Sequence, residues 1–256
     1  MDNISREYIT KTLDKGKRLD GRKFDEYRDI EIEYGISKYA EGSSRVRMGD
    51  TEVFAGVKLE VGEPFPDKPD GGTIIVNVEM LPLSSDEFES GPPGVDSIEL
   101  ARVVDRAIRE SNCIDLKKLC IKEKEKVWMV FIDIYTINNA GNLQDAACLA
   151  SLAALKQAKI PEYKDEKIDY SKRKDKLPLT SLPVECTTVK IDNILLSDPD
   201  FYEERWNDAR LTVATTEKNE ICAMQKSGKG VLSADDVRKA IEASLKNGKL
   251  LREKLK

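Results

Sequence analysis

The sequence contains no histidine among its 256 residues. This absence excludes nucleophilic catalysis by Ser-His-Asp or Cys-His groups, acid catalysis by histidine, and metal sites with histidine ligands. Any catalysis would have to use carboxylates, lysine, tyrosine or a bound phosphate. The five cysteines are scattered, with no Cys-x-x-Cys pair and no zinc spacing, so we expect reduced, mostly buried thiols, no metal site and no cofactor.

Long hydrophobic runs are also absent, and no stretch of about 18 apolar residues could form a membrane span. The N-terminal MDNISREYITKTLDKGKR has no apolar segment of signal-peptide type. We therefore expect a cytoplasmic protein that does not contact membranes. The net charge is −5, so the whole molecule is not an ordinary basic nucleic-acid binder, and any RNA contact must come from a local patch.

The 40% hydrophobic content is enough for a buried core in one large or two small domains. Period-two and β-rich patterns predict strands within 30–59, 72–81 and 127–137, and hairpins over 184–198 and 211–228. Helical spacing predicts helices over 4–15, 97–111 and 143–160, and one capped by Ser233. The charged segment 162–176 is predicted to be a mobile surface loop. Strands precede a helix twice, which indicates an α/β or α+β fold.

Five segments in order resemble the RNase PH family of phosphorolytic exoribonucleases. They are RLDGRKFDEYRDI (18–30), EGSSRVRMGDTEVFAGVKLEVGEP (41–64), ESGPPG with SIELARVVDRAIR (89–109), NNAGNLQDAACLASLAAL (138–155) and DPDFYEERWNDARLTVATT (198–216). The resemblance covers nearly the whole chain. Within the family, VVDRAIRES and QKSGKGVLSADDV are most similar to the non-catalytic ring subunit of the archaeal exosome.

The resemblance implies an RNase PH-like fold of the ribosomal protein S5 domain 2 type, with two β-sheets and packed helices. It implies one unit over 1–256, with an N-terminal core over about 28–160 and a C-terminal subdomain over about 183–256. It also implies a heterodimer with a catalytic RNase PH-like paralogue, three heterodimers in a hexameric ring, and S1-domain cap subunits. Such a ring degrades single-stranded RNA from the 3′ end with phosphate, and can run backwards to add tails.

The chain departs from the active family members at a phosphate-binding turn. Those members resemble one another in a Gly-Gly-Thr/Ser-Arg turn before the Ala-rich helix. The matching run here is 140–144, where Leu143 takes the hydroxyl position and Gln144 takes the arginine position. Leucine cannot donate a hydrogen bond to phosphate and glutamine carries no charge, so the site lacks its main anion-binding groups.

Two further elements of the active pattern are missing. Active members have a basic pair just before the helix that starts here near Ser97, whereas this chain has Val95-Asp96. Asp96 would repel phosphate, or it could simply be the N-cap of that helix. The three-aspartate pattern falls on Asp198, Glu204 and Arg210; Asp198 followed by proline also suits a helix start, and Arg210 could pair with Glu204 or Asp208. Together these losses predict no catalytic residues in this chain.

Arg102, Arg106 and Arg109 fall on one face of the helix over 97–111. Glu99 could pair with Arg102, and Asp105 with Arg109, which would make this an ordinary solvated face. With the family resemblance, the hypothesis is that the three arginines bind RNA backbone beside a partner's active site. Arg18 and Arg22, in contrast, are predicted to pair with nearby acids.

Three functions remain open from these residues. The first is a non-catalytic exosome subunit that structures the paralogue's active site and helps to bind RNA. The alternative is an active phosphate-dependent 3′–5′ exoribonuclease with a divergent site that uses Asp198, Glu204 or Asp208. A third is a scaffold without RNA contact, and the arginine face is the feature that separates it from the first.

Overall fold

A computed structural model describes residues 4–256, so the first three residues of the predicted unit 1–256 lie outside the described residues. Within that range the helices are α1 (Arg6–Leu13), α2 (Val95–Glu110), α3 (Leu143–Gln157), α4 (Phe201–Arg205) and α5 (Ala234–Lys254). The strands are β1 (Ile30–Tyr34), β2 (Gly42–Met48), β3 (Thr51–Gly62), β4 (Thr73–Met80), β5 (Cys120–Lys122), β6 (Lys126–Asn138), β7 (Lys159–Lys164), β8 (Lys167–Lys176), β9 (Val184–Ile191), β10 (Ile194–Ser197), β11 (Ala209–Thr215) and β12 (Ile221–Ser227).

The larger sheet has the strand order β1-β2-β3-β6-β4, with β5 paired to the start of β6. Its neighbours are antiparallel except β4, which runs parallel to β6. Residues of β3 alternate between buried and partly exposed, as expected when one face of a strand packs on a core. A Cβ atom on Gly42 would lie 2.1 Å from the Ala154 carbonyl oxygen, so the absence of a side chain lets β2 approach α3 closely.

The second sheet is antiparallel, with the order β10-β9-β11-β12. Helix α3 lies against β2 and β3 of the first sheet and against β9 of the second, while α5 packs on β9 and β11. This central position explains why α3 is buried from Leu143 to Leu155 and is apolar on nearly every side. One hydrophobic cluster includes side chains of both sheets and of α3, for example Val57, Cys186 and Leu152.

The α/β fold class, the two C-terminal hairpins and the helix capped by Ser233 are confirmed. The mobile loop predicted over 162–176 is wrong, because β7 and β8 pair there as a third, two-stranded sheet. The hydrophilic composition hid this hairpin, whose Tyr163 and Ile168 pack against the core. Helix α3 also ends at Gln157, three residues before the predicted end.

All five cysteines are free, and Cys113, Cys148 and Cys186 are buried. Over residues 4–256, none of the helices is long and apolar enough to cross a membrane.

Candidate functional site

The turn before α3 depends on two residues with positive φ. Gly141 has φ +91°, and a Cβ atom there would lie 2.4 Å from the carbonyl carbon of Asp200. Asn142 has φ +56° and caps α3, because its side chain accepts a hydrogen bond from the Asp145 backbone N–H. Only glycine fits at position 141. Its lack of a side chain lets the N-terminus of α3 pack directly against the start of α4.

Gln144 is 4% exposed, and its Nε2 donates a hydrogen bond to Glu185 Oε2 at 2.8 Å. Burial raises the pKa of Glu185 to about 8, so this carboxyl group is mainly protonated at neutral pH. Leu143 is 7% exposed and packs in the core. The first turn of α3 therefore presents no positive side chain at the position where the family resemblance places an arginine.

Asp145 accepts hydrogen bonds from Tyr27 Oη at 2.7 Å, Thr187 N at 2.9 Å and Thr187 Oγ1 at 2.7 Å. Burial raises its pKa to about 6, although these donors oppose the rise. The network joins α3 to β9 and to the segment before β1. Sequence reasoning missed both the Asp145 network and the Gln144–Glu185 hydrogen bond. A signal for them was present in the sequence: Asp145 lies in an apolar helix and Glu185 in an apolar strand.

Asp198 does not cap α4, contrary to the prediction. The cap is Asp200, whose carboxylate forms a capping box with Glu203. Asp198 is fully buried, with Arg22 Nη1 at 2.8 Å and Arg28 Nη2 at 2.7 Å. Burial alone would raise the pKa of Asp198, but the hydrogen bonds and charge of Arg28, with the charge of Arg22, lower it. The site therefore holds Asp198 as a paired carboxylate.

A cavity of about 230 Å³ lies where α2, α3, α4 and β11 meet. Its lining residues are Met80, Glu87, Phe88, Asp96, Glu99, Leu100, Asn139, Leu143, Gln144, Phe201, Glu204, Arg205 and Arg210. Acidic side chains outnumber basic ones by four to two in this lining. The cavity therefore disfavours a phosphate anion on electrostatic grounds.

Arg210 forms the centre of an ion-pair chain across this cavity. Its Nη1 donates to Glu204 Oε1 at 2.8 Å, and its Nη2 donates to Glu99 Oε1 at 3.2 Å. Glu204 Oε2 accepts from Asn142 N at 2.9 Å, and the Ser227 hydroxyl donates to Glu99. Burial opposes the charged form of Arg210, but Glu204 and Glu99 outweigh it and raise its pKa.

The predicted pairing of Arg210 with Glu204 is confirmed. The other predicted partner, Asp208, instead pairs with Arg6 at 2.8 Å, and its second oxygen accepts from Asp192 N. Because both Glu204 and Glu99 contact Arg210, this arginine links α4 and α2 to β11.

The N-terminus of α2 differs from the prediction in its position. The N-cap is Gly94, in an extended conformation, and the helix begins at Val95. Asp96 is therefore inside the first turn and is not the N-cap. An acid at this place interacts favourably with the positive end of the helix dipole. The residues at the entrance, exposed Val95 and Asp96, add no positive charge to the cavity.

The three arginines of α2 have different surroundings. Arg109 pairs with Asp105 at 2.6 Å, as predicted, and also donates to the Ile74 carbonyl oxygen at 3.0 Å. Arg106 is exposed and donates to Gln225 Oε1 at 3.3 Å. Arg102 is exposed, and its side chain has no hydrogen bond or ion pair with any residue in 4–256.

The Glu99–Arg102 pair, which was one of the alternatives for this face, does not form among the described residues. Arg210 and Ser227 hold the Glu99 carboxylate through contacts between elements that are distant in sequence. Helical spacing alone could not reveal this competition.

Arg22 pairs with a nearby acid, as predicted, whereas the acid partner of Arg18 is distant in sequence; both arginines reach far along the chain. Arg18 Nη2 lies 2.5 Å from Glu203 Oε2, and both side chains are almost fully buried. Arg22 contacts Asp20 at 2.6 Å in addition to Asp198. These pairs fix the segment before β1 against the region around α4.

Comparison with known proteins gives two family matches. Residues 26–161 match domain 1 of the 3′ exoribonuclease family, RNase PH, and residues 181–247 match domain 2. The chain is 50% identical to the exosome complex component Rrp42 of Methanocella arvoryzae, over 98% of this chain and 95% of that protein. It is 48% identical to the Rrp42 component of Methanothermobacter thermautotrophicus, over 94% and 90% of the two chains.

A solved structure gives the same relationship in three dimensions. The fold matches a chain of the Archaeoglobus fulgidus exosome with RNA bound to the active site, with a TM-score of 0.92 and 47% identity. The match covers 98% of this chain and 97% of that one. The chain therefore belongs to the 3′ exoribonuclease family of RNase PH, together with the archaeal exosome components named Rrp42.

Proposed function

We propose that this chain is a non-catalytic subunit of an archaeal exosome, which binds RNA in the ring and leaves phosphate and chemistry to a catalytic paralogue. The observation that carries the proposal is the cavity at the N-terminus of α3. Gln144 is neutral, and both lining arginines are already paired: Arg210 with two carboxylates, and Arg205 with Glu87. Phosphorolysis needs cations that hold inorganic phosphate beside the RNA linkage, and this cavity has an acidic excess.

The alternative, an active exoribonuclease with a divergent site, would need a free acid among Asp198, Glu204 and Asp208. Each of the three has an arginine partner: Arg28, Arg210 and Arg6 respectively. A paired carboxylate with a lowered pKa, such as Asp198, is a poor proton donor for a leaving oxygen. These contacts favour the non-catalytic assignment.

The relatives are exosome components and a matching structure is an exosome with bound RNA, which supports a place for this chain in an RNA-bound exosome. The finer partners are those that the family resemblance implies. They are a catalytic RNase PH-like paralogue in a heterodimer, three such heterodimers in a hexameric ring, and S1-domain cap subunits. Single-stranded RNA is the substrate of the assembly, and the location is cytoplasmic. Within the chain, the N-terminal core and C-terminal subdomain act as a single unit.

In this proposal Arg102, Arg106 and Arg109 contact the RNA backbone. Arg102 and Arg106 are the exposed members, and Arg102 has no partner within the described part of the chain. The bonds of Arg109 to Asp105 and to the Ile74 carbonyl make it the least available of the three. An unpaired guanidinium is well suited to a phosphodiester oxygen, with an affinity that falls as salt concentration rises.

The test is phosphate-dependent release of nucleoside diphosphate from a single-stranded RNA. It compares the purified chain, the catalytic paralogue and their mixture. We expect no release by the chain alone, and more release by the mixture than by the paralogue alone. Release by the chain alone would overturn the non-catalytic assignment, and Asp198, Glu204 and Asp208 would then be the acids to replace.

A second measurement separates RNA binding from a pure scaffold. The double variant Arg102→Glu/Arg106→Glu should assemble normally and weaken RNA binding by the ring. A ring of unchanged RNA affinity would favour the scaffold function. Lys117→Glu/Lys118→Glu, on a short helical turn outside α2, is the matched charge-reversal control.

A further inference from the structure

Glu99 lies on the same face of α2 as the exposed arginines, three residues before Arg102 and seven before Arg106. On an isolated helix, Glu99 and Arg102 would be neighbours and would neutralise each other. In the folded chain the Glu99 carboxylate instead contacts Arg210 and the Ser227 hydroxyl, across the gap to β11 and β12. Arg102 is left exposed and unpaired among residues 4–256.

We propose that Arg210 is a positioning residue that holds Glu99 away from Arg102, so that the Arg102 guanidinium stays unpaired and available to an RNA phosphate. Arg210 does not touch the RNA; it acts through Glu99. This inference rests on the proposed function, because it assigns a role to the same arginine face.

Arg210 competes successfully for Glu99 for three physical reasons. The side chains of Arg210 and Glu99 are only 22% and 29% exposed, so their attraction is less screened than that of a solvated helix pair. Two nitrogens of the planar guanidinium reach two separate carboxylates, Glu204 and Glu99. The Ser227 hydroxyl adds a third contact, whereas an exposed i,i+3 pair on a helix surface is weak.

Loss of Arg210 should therefore act on RNA binding through the released acid. Glu99 would lose its main partner, and Arg102 would be the next cation within reach on the same helix face. If Glu99 pairs with Arg102, each copy of the chain loses one contact with an RNA phosphate. Both the affinity of the ring for RNA and its salt dependence should fall.

The experiment is a double-mutant cycle in the ring assembled with the catalytic paralogue. A fluorescent oligoadenylate is titrated in phosphate-free buffer over a series of NaCl concentrations. We expect Arg210→Gln to weaken binding by roughly three- to tenfold and to reduce the log–log salt slope by about 0.7 for each lost contact. We expect Glu99→Gln not to weaken binding, and Arg210→Gln/Glu99→Gln to match Glu99→Gln.

The restoration in the double variant separates this proposal from a simple structural role. If Arg210 only braced α2, the double variant would bind as weakly as Arg210→Gln, and that result overturns the proposal. Unchanged binding by Arg210→Gln also overturns it. If Arg210→Gln does not assemble, Glu99→Gln decides alone: unchanged or tighter binding supports the proposal, and weaker binding contradicts it.

Two further variants complete the design. Lys190→Gln breaks a partly buried pair with Asp236 between β9 and α5, and as the matched control it should not change RNA affinity. Arg102→Gln tests the proposed function separately. If Arg102→Gln has no effect, the RNA contact of Arg102 and the role of Arg210 both fail; if it weakens binding while Arg210→Gln does not, only the role of Arg210 fails.

Discussion

Glu185 and Asp198 are both fully buried carboxylic acids, yet their neighbours move their pKa values in opposite directions. Burial raises the pKa of Glu185 to about 8, since a neutral glutamine side chain is its hydrogen-bond partner and its Oε1 has none among the described residues. Burial acts on Asp198 too, but Arg28 and Arg22 reverse its effect. The same residue class therefore serves as a neutral core group at one position and as an ion-pair centre at the other.

We expect the native chain to lose stability as pH rises, because Glu185 must release its proton. Glu185→Gln should remove this part of the pH dependence. The folded state binds this proton with a pKa of about 8, against an ordinary value of 4.5, so the free energy of unfolding falls between those pH values. The fall is of order 1 kcal/mol per pH unit within that window. Glu185→Gln cannot release the proton and should be the more stable protein at the alkaline end.

Urea unfolding at several pH values measures this difference, with the exposed Glu63→Gln as the control. If Glu185→Gln keeps the pH dependence of the native chain, Glu185 is not the group responsible.

Ion pairs show which side-chain contacts were predictable. Asp105–Arg109 follows from helical spacing, and Arg22–Asp20 follows from the turn-rich, charged segment that holds both residues. The partner of Arg18, Glu203, lies 185 residues away and did not follow from that segment. The partner of Glu99 did not follow, because Arg210 is more than a hundred residues away and competes with the local Arg102. Local spacing predicts a contact only when no stronger distant partner is folded against it.

Helix α2 and the β7–β8 hairpin differ from what the sequence pattern predicted, because tertiary packing changes where elements form. Helix α2 starts at Val95, before the predicted start, because the extended Gly94 can serve as its cap. The β7–β8 hairpin forms in a segment whose charges predicted a loop. Its Tyr163 packs edge-on against Trp128, with ring centres 6.1 Å apart, and Lys126 pairs with Glu166 at 2.5 Å. A charged segment can be ordered when a few apolar side chains reach the core.

The junction between α3 and α4 should be sensitive to a single methyl group. Gly141→Ala places a Cβ atom 2.4 Å from the backbone of Asp200 and forces a side chain into φ +91°. We expect the free energy of unfolding to fall by about 2–4 kcal/mol, through strain and displacement of α4. Chemical denaturation followed by circular dichroism measures the change.

Gly56→Ala in β3 is the matched control for that variant. Its new Cβ atom would lie 4.0 Å from Ala40 Cβ, an ordinary contact, and the stability should change by less than about 1 kcal/mol. Equal effects of the two substitutions would contradict the close-approach explanation.

At the scale of the molecule, α3 lies between the two main sheets and shares one hydrophobic cluster with both. The buried pair of Arg18 with Glu203 adds a polar link between the N-terminal segment and α4. Such a shared core resists separate unfolding of the two halves, which is the physical basis of the proposed single unit.

The two tryptophans allow a test of this unit, since Trp128 lies in β6 and Trp206 follows α4. We expect the single-tryptophan variants Trp206→Phe and Trp128→Phe to report unfolding curves that each coincide with circular dichroism of the same variant. The shared core predicts one cooperative transition for both reporters. Two separate transitions in either variant would show that the halves unfold independently.

The sequence by itself determined the family, the α/β class and the neutral side chain of Gln144 where the family resemblance places an arginine. These follow from ordered motifs and from residue chemistry, which do not depend on distant contacts. Tertiary structure alone decided that Asp198 is an ion-pair centre, that Glu185 is a neutral acid, and that Glu99 faces Arg210 and not Arg102. Charge pairing depends on distance and burial in three dimensions, so residues far apart in the sequence become partners only when the fold brings their elements together, as α2 and β11 do for Glu99 and Arg210.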